Sequence, residues 1–263
     1  MDYPQYFSMG YKLKITFFFK RSERKADIVL TVSEYSRERI NHWFDIPKAD
    51  IHITENAVLP ISNTIAIPDV KREYGLDKYV LTVSRIEPRK NHLMLLEAFV
   101  EMKLYDKGYK LVMIGTPDLI YTSFQTYYNG LVESIKSSIM IKSVSFPDLV
   151  GLYQNASLFV FPSLAEGFGI PPLEAIEYGC PVLCSNATAM SEFGLPQDVT
   201  LNPNDKVEMK SKMKRMLDKP IKIDKADIER KFNWKHSAEI FYKVVLKDIH
   251  GTRATPQRLL LAA

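Results

Sequence analysis

Residues 161–184 read FPSLAEGFGIPPLEAIEYGCPVLC and follow an apolar run at residues 158–161. The length of that run and its β-branched and aromatic side chains predict a buried strand. Residues 163–170 contain two glycines and predict a loop. A helix is predicted from about Pro172 to Tyr178, because proline is favoured in the first turn of a helix. This order of strand, loop and helix is typical of the repeating unit of parallel α/β sheets.

Two glutamates lie eight positions apart around the loop: Glu166 within it and Glu174 in the first turn of the predicted helix. The start of a helix presents free N–H groups and the positive end of the helix dipole. Such an end suits a phosphate, at about 0.3–1 kcal/mol per contact. One carboxylate can then accept sugar hydroxyls while the backbone holds the anion. Because a first-turn glutamate also stabilises an ordinary helix, spacing alone leaves a functional and a purely structural interpretation open.

The letters around both glutamates resemble the E-x7-E signature of retaining glycosyltransferases of the GT-B fold, family 4, the glycosyl transferases group 1. The family pattern is PS-x-x-EGFG-x-P-x-LEA followed by G-x-PV. The resemblance implies that Glu166 binds hydroxyls of the transferred sugar and that Glu174 binds the ribose hydroxyls of the donor. The chain matches the pattern at Pro162-Ser163, Glu166-Gly167-Phe168-Gly169, Pro172, Leu173-Glu174-Ala175, Gly179 and Pro181-Val182.

A second match lies upstream at residues 79–92, which read YVLTVSRIEPRKNH. An apolar strand is predicted to end at Ser84, Arg85 follows it, and Lys90 opens a predicted helix of period 3.6. Arginine offers a planar fork and lysine a mobile point charge, so the two can neutralise a leaving diphosphate. The alternative for two such cations is a solvated surface. In the family, the corresponding pair contacts the pyrophosphate of the donor.

The resemblance therefore implies a site with catalytic residues and donor-binding residues. Arg89, between the two cations, is predicted to be a surface charge, and His92 is predicted to lie on a helix surface. No DxD cluster occurs in the site region, and the resemblance implies no metal and no cofactor besides the nucleoside-diphosphate sugar, which is the donor substrate. The predicted catalytic residues are Glu166, Arg85 and Lys90, and the predicted donor-binding residues are Gly167, Phe168, Gly169, Ile170 and Glu174.

Strands and helices alternate from about residue 79 to residue 217, which predicts the α/β class with a doubly wound parallel sheet. Ligands of such sheets bind at the carboxyl ends of the strands, so both motifs are expected to meet in one crevice. Strands are further predicted at residues 109–114, 141–144, 158–161, 182–185 and 199–201, and helices at 123–137, 148–154, 172–178 and 205–217.

The resemblance also implies a domain division. Residues 1–58 are predicted to be a remnant of the N-terminal, acceptor-side domain with its link, in which residues 52–58 form the link itself. Residues 59–233 are predicted to be a Rossmann-like nucleotide-sugar-binding domain, 234–249 a terminal crossing helix and 250–263 a disordered tail. A whole GT-B enzyme has a complete domain before the link. We therefore expect an incomplete N-terminal domain here, little or no sugar transfer by residues 1–263 in isolation, and a partner chain as one source of the missing part.

Composition and charge limit the classes of partner. The net charge of +4, from 35 basic and 31 acidic residues, is too mild to indicate nucleic acid. Cys180 and Cys184 are expected to be reduced core residues, and with no apolar run of about 18 residues and no secretory signal a cytoplasmic location is predicted. Residues 11–25 mix aromatic side chains with six basic ones, and predict either a helix on an anionic membrane surface or one that packs on its own sheet.

The preferred interpretation is a glycosyltransferase that moves a sugar, with retention, from a nucleoside-diphosphate sugar to a glycan or lipid-linked acceptor in polysaccharide or cell-envelope glycan synthesis. One alternative is a donor-binding module that is inactive alone or depends on a partner chain. A glycoside hydrolase would use Glu166 and Glu174 about 5–9 Å apart, but would leave Arg85 and Lys90 without a diphosphate to bind. A related sugar-nucleotide epimerase would need catalytic acids and histidines at other positions.

Overall fold

The computed structural model describes residues 9–23, 25–61, 65–117, 121–250 and 259–261. The chain forms two compact units, residues 1–57 with 231–263 and residues 58–230. The strands are β1 (Ile28–Thr31), β2 (Ile51–Ile53), β3 (Lys78–Val83), β4 (Tyr109–Ile114), β5 (Ile139–Lys142), β6 (Leu158–Phe161), β7 (Val182–Ser185), β8 (Thr200–Leu201) and β9 (Leu259–Leu261). The α-helices are α1 (Met9–Glu23), α2 (Glu34–Phe44), α3 (Val70–Glu73), α4 (His92–Glu101), α5 (Thr122–Asn129), α6 (Glu133–Lys136), α7 (Phe146–Asn155), α8 (Ile170–Glu177), α9 (Lys206–Asp218), α10 (Lys225–Lys231) and α11 (Trp234–His250).

The unit of residues 58–230 is built on a six-stranded parallel sheet with the order β5-β4-β3-β6-β7-β8. From β3 the chain adds β4 and β5 on one side, then returns to place β6, β7 and β8 on the other. The strand order therefore reverses between β3 and β6, where the loops after the two strands diverge and leave a crevice. The predicted α/β class with a doubly wound parallel sheet is confirmed.

The sheet is covered by helices because its strands are apolar on both faces. All four residues of β6 are buried, as are the four central residues of β3. Parallel strands buried on both faces read as continuous apolar runs rather than as alternating ones. Helix α8 packs on β6 and β7, helix α9 packs on β6, β7 and β8, and α4 packs against α5 and α9.

The predicted bounds match the structure best where the apolar runs are short and sharply ended. The predictions for β6 and β7 are exact, whereas β5 lies two residues earlier than predicted. The predicted single helix at residues 123–137 is wrong. Gly130 ends α5 by donating its N–H to Thr126, and Val132 is extended before α6 begins. Helical periodicity continues across this break, and the sequence pattern therefore does not mark it.

The unit of residues 1–57 and 231–263 contains a three-stranded parallel sheet with the order β2-β1-β9. Helix α11 packs on β1 and β2, and the Ser237 hydroxyl donates to the Glu55 carbonyl oxygen at 2.5 Å. The predicted link at residues 52–58 includes the last two residues of β2. The predicted disordered tail at 250–263 includes β9, because three consecutive leucines pair with Ile28, Val29 and Leu30 of β1.

The basic segment at residues 11–25 corresponds to α1. Its side chains Leu13, Phe17 and Phe18 are exposed, and Phe19 stacks on Phe44 with 5.8 Å between the ring centroids. Within the described residues, no helix has both the length and the apolar character that a membrane span requires. Contact of this helix with an anionic membrane surface stays a prediction.

Candidate active site

The two sequence motifs follow neighbouring strands at the carboxyl edge of the six-stranded sheet. Arg85 and Lys90 come after β3, and Glu166 comes after β6, which pairs with β3 in parallel. These are the two strands between which the strand order reverses. The topology therefore brings both motifs to the crevice where doubly wound sheets bind their ligands.

Lys90 and Glu166 form the closest charged pair of the site. The Lys90 ammonium nitrogen donates to Glu166 Oε1 at 2.5 Å and lies 5.4 Å from the centre of the Phe161 ring. The two side chains are only 13% and 9% exposed. A pair so shielded from water interacts more strongly than a surface pair, and removing one partner leaves a charge in a poorly solvated place. Lys90 and Glu166 are 76 positions apart in the sequence, and the pairing of β3 with β6 brings them together.

Arg89 and Glu87 join Lys90 and Glu166 in one ionic cluster. The prediction of Arg89 as a surface charge is therefore wrong. Its Nη1 donates to the Ala165 carbonyl oxygen at 2.6 Å and to Glu166 Oε2 at 3.3 Å, while Nη2 donates to Glu87 Oε1 at 2.7 Å. The Arg89 carbonyl oxygen accepts from the Leu164 N–H. The short 3₁₀ helix at Pro88–Lys90 presents Arg89 and Lys90 to the loop after β6, because consecutive residues of such a tight turn diverge and reach different atoms.

The backbone around Glu166 is held by Thr188. The Glu166 N–H donates to Thr188 Oγ1 at 2.9 Å, and the Thr188 hydroxyl donates to the Ala187 carbonyl oxygen at 2.8 Å. Thr188 has φ of 56°, a left-handed conformation that β-branched residues rarely adopt. Strained residues of this kind are kept where the surrounding contacts require them. Thr188 therefore fixes the loop position from which the carboxylate of Glu166 reaches Lys90.

The glycine loop combines an open backbone with one buried aromatic ring. Gly169 has φ of 95°, and a Cβ there would lie 2.9 Å from Met190 Cγ and 3.6 Å from Glu166 Cγ. Phe168 is buried and contacts Phe193 edge to face, with 5.7 Å between the ring centroids. Only glycine fits at Gly169, because the conformation and the space both exclude a side chain.

The start of α8 differs from the prediction in a way that matters for anion binding. The helix begins at Ile170, so Pro171 and Pro172 occupy its second and third positions and Glu174 lies in its second turn. An ordinary helix start has four free N–H groups. Because proline has no N–H, this helix start has fewer. Any anion held here would depend on the N–H groups of Gly169 and Ile170 and on the helix dipole, because the Leu173 N–H makes the first intrahelical hydrogen bond.

Glu174 has partners of its own. The Tyr153 hydroxyl donates to Glu174 Oε2 at 3.0 Å, and burial raises the pKa of the Glu174 carboxyl although this hydrogen bond acts in the opposite direction. Tyr153 itself is fully buried and lies beneath the helix in contact with Tyr178. The two glutamates of the motif are thus bound differently, Glu166 by two cations and Glu174 by a phenol.

Arg85 lies two residues beyond β3 with an exposed side chain. The backbone on both sides of it is fixed by the end of β4: the Ser84 N–H donates to the Ile114 carbonyl oxygen, and the Ile86 N–H donates to the Thr116 carbonyl oxygen. The backbone at Arg85 therefore lies at the carboxyl edge of the sheet, next to the end of β4. In the described part of the chain, no three histidine, cysteine, aspartate or glutamate side chains come together as metal ligands would.

His92 is buried, and its prediction as a helix-surface residue is therefore wrong. It is the first residue of α4, and its Nε2 lies 3.1 Å from Ser84 Oγ. The buried residues Leu95, Leu96 and Phe99 follow it at three, four and seven positions, so His92 belongs to the apolar face of the helix. This periodicity was available in the sequence. Burial lowers the pKa of the imidazole to about 3.

This burial makes the stability of the protein depend on pH. The unfolded chain takes up a proton on His92 near its ordinary pKa of about 6.5, whereas the folded protein does so only near 3. Above pH 6.5 the imidazole is neutral in both states, and the folded protein keeps its full free energy of unfolding. As the pH falls from 6.5 toward 3, that free energy decreases by at most about 1.4 kcal/mol per pH unit. Urea unfolding between pH 5 and 8 measures this effect. As the pH is lowered, the free energy of unfolding should fall more steeply for the wild type than for His92→Gln. Parallel declines would contradict the assignment.

The fold matches solved structures of glycosyltransferases. Sucrose-phosphate synthase from Thermosynechococcus elongatus superimposes with a TM-score of 0.73 at 18% identity, over 95% of this chain and 65% of that one. HepE from Anabaena, solved in complex with UDP and glucose, gives a TM-score of 0.74 at 15% identity, over 93% of this chain and 69% of that one. At these identities the likeness concerns the fold alone.

The chain belongs to the glycosyl transferases group 1 family, whose model matches residues 64–233. Among curated relatives, O-antigen chain mannosyltransferase B of Escherichia coli is 34% identical over 194 residues, which are 68% of this chain and 49% of that protein. The serotype-specific mannosyltransferase WbdA of Escherichia coli is 27% identical over 245 residues, which are 82% of this chain and 28% of that protein. The chain thus spans less than half the length of these two relatives.

Proposed function

We propose that this chain carries the donor site of a retaining glycosyltransferase that moves a hexose from a nucleoside-diphosphate sugar to a glycan or lipid-linked acceptor in cell-envelope polysaccharide synthesis. The observation that carries the proposal is the pairing of Lys90 with Glu166 at the point where the strand order reverses. The names of the curated relatives favour mannose as the transferred sugar. Retention is proposed from the E-x7-E pattern.

The cations at the carboxyl edge suit the part of the reaction in which the anomeric bond breaks. Negative charge then develops on the leaving phosphate, and donors already in place for that charge lower the barrier, at about 3–4 kcal/mol each in the best cases. Lys90 and Arg85 follow the same strand and supply this stabilisation in our proposal. Because side-chain cations take the role that a divalent metal has in other transferases, we propose a reaction without a metal cofactor.

The two glutamates hold the donor at opposite ends of the proposed site. Glu166 is mostly buried and faces the cations, so its carboxylate accepts hydroxyls of the transferred sugar next to the diphosphate. Glu174 accepts ribose hydroxyls with the oxygen that Tyr153 leaves available. The backbone of Gly167, Phe168, Gly169 and Ile170 lies between them and contacts the phosphates. In our proposal, these groups together favour a nucleoside-diphosphate sugar over a free sugar as the ligand.

The affinity for nucleoside diphosphates tests the proposal. We expect Lys90→Ala combined with Arg85→Ala to weaken UDP or GDP binding more than tenfold and nucleoside binding less than twofold, because a hydrogen bond to a charged group contributes about 1.5–3 kcal/mol. Calorimetry on both kinds of ligand measures the two losses.

The control is Lys107→Ala, which removes one lysine charge at an exposed position before β4, at the opposite edge of the sheet. It should leave both affinities unchanged. Equal losses of affinity for diphosphate and for nucleoside in the double variant would contradict the assigned roles of the two cations. If the wild-type chain bound no diphosphate, the proposed function itself would be wrong.

A further inference from the structure

The ionic cluster holds one more cation than the sequence motifs account for. We propose that Arg89 is a positioning residue: it keeps the Glu166 carboxylate directed at the transferred sugar while Lys90 turns from Glu166 to the diphosphate. The inference rests on the proposed function and deepens it, because it assigns separate duties to two adjacent cations. Arg89 itself need not touch the substrate.

The contacts divide the carboxylate between the two cations. Lys90 binds Glu166 Oε1 at 2.5 Å and Arg89 binds Oε2 at 3.3 Å. The other arm of Arg89 is committed to Glu87 at 2.7 Å, and Nη1 also binds the Ala165 carbonyl oxygen at 2.6 Å. The guanidinium is thus fixed at three points and cannot follow a ligand, whereas the ammonium of Lys90 ends a flexible stem.

Arrival of a diphosphate changes the demand on Lys90. Its ammonium must then face at least two added negative charges, and its hold on Glu166 weakens as it does so. A carboxylate that is 9% exposed and loses its cation next to a phosphate would be repelled from the site. Arg89 prevents this, because its charge stays on the far oxygen of Glu166 while Lys90 is engaged.

The geometry requires arginine rather than any cation. Nη1 and Nη2 diverge in one plane, and this fork reaches Glu87 on one side and the loop of Ala165 and Glu166 on the other. A lysine ends in a single nitrogen and cannot join both sides. Arg89→Lys should therefore behave like a loss of the residue, although it keeps the charge.

The test compares ligands with and without the sugar. We expect Arg89→Gln and Arg89→Lys in the full chain to weaken binding of GDP-mannose or UDP-glucose at least tenfold, and of GDP or UDP less than threefold. The double variant Glu87→Gln with Arg89→Gln keeps the net charge and should show the same selective loss. Arg215→Gln, which removes a surface partner of Asp198, is the control and should change neither affinity.

The outcomes separate the two proposals. If the wild-type chain binds neither kind of ligand, the proposed function fails and this inference with it. If the wild type binds both kinds but the Arg89 variants lose both equally, or lose neither, the donor site stands and the positioning role is overturned. Melting temperatures of the same variants accompany the titrations, and Arg89→Lys supplies the answer if Arg89→Gln does not fold.

Discussion

Gly115→Ala is expected to lower the free energy of unfolding by about 2–6 kcal/mol. Gly115 directly follows β4 and has φ of 150°, and a Cβ there would overlap the Ser84 carbonyl oxygen and lie 2.7 Å from the Ser84 carbonyl carbon. The backbone strain and the overpacking each cost about 1–3 kcal/mol. The atoms in the way belong to the backbone, so a side-chain rotation cannot relieve the cost. Neither backbone can move apart without breaking the hydrogen bonds between β3 and β4.

Urea unfolding measures this effect, with Gly130→Ala as the matched control. Gly130 has a right-handed conformation, and the nearest atom to an added Cβ is 3.4 Å away. Its replacement should change the free energy of unfolding by less than about 1 kcal/mol. Equal effects of the two substitutions would show that the close approach of Gly115 to Ser84 is not a determinant of the fold.

Glu166→Gln is expected to slow release of nucleoside diphosphate from the sugar donor by about 10²–10³-fold, as loss of one well-placed polar group in an active site does. At the same time, the affinity for GDP or UDP alone should stay equal or rise, because Lys90 no longer shares its charge with a carboxylate. Rate measurements at saturating donor and calorimetry on the diphosphates measure the two effects.

A slower reaction without any loss of diphosphate affinity distinguishes a site residue from a structural one. The control Glu133→Gln makes the same exchange of carboxylate for amide at an exposed position at the start of α6, and should leave both quantities unchanged. A Glu166→Gln variant that lost diphosphate affinity and thermal stability together would show that Glu166 chiefly holds the loop to Lys90.

Much of the fold follows from the sequence because the strands are short apolar runs between sharp chain breakers. Leu158–Phe161 and Val182–Ser185 have the bounds that their letters predict. The order of elements also predicts the carboxyl edge as the place where the motifs meet, and Lys90 and Glu166 do meet there. Where a part of the site depends on a run of consecutive residues, the local sequence pattern and the sheet topology are sufficient to predict its position.

The sequence brings both motifs to one edge of the sheet, but it does not indicate which side chains of these distant loops contact each other. Arg89 reaches Glu166 across 77 positions, and Thr188 reaches back 22 positions from a strained conformation. Neither contact leaves a periodic signal, since each depends on how two loops approach above the sheet. The burial of His92 is different, because its spacing to Leu95 and Phe99 marks it as a residue of the buried face.

Hydrogen exchange of the wild-type chain with and without GDP or UDP shows most directly where a nucleoside diphosphate binds. A ligand at the proposed site should slow exchange of backbone amides at residues 84–91 and 163–173, the segments after β3 and β6 that carry Arg85, Lys90 and Glu166. Amides at the opposite edge, before β3 and β4, should exchange at their original rates. Protection confined to other segments, with these two unchanged, would contradict a donor site at the reversal of the strand order.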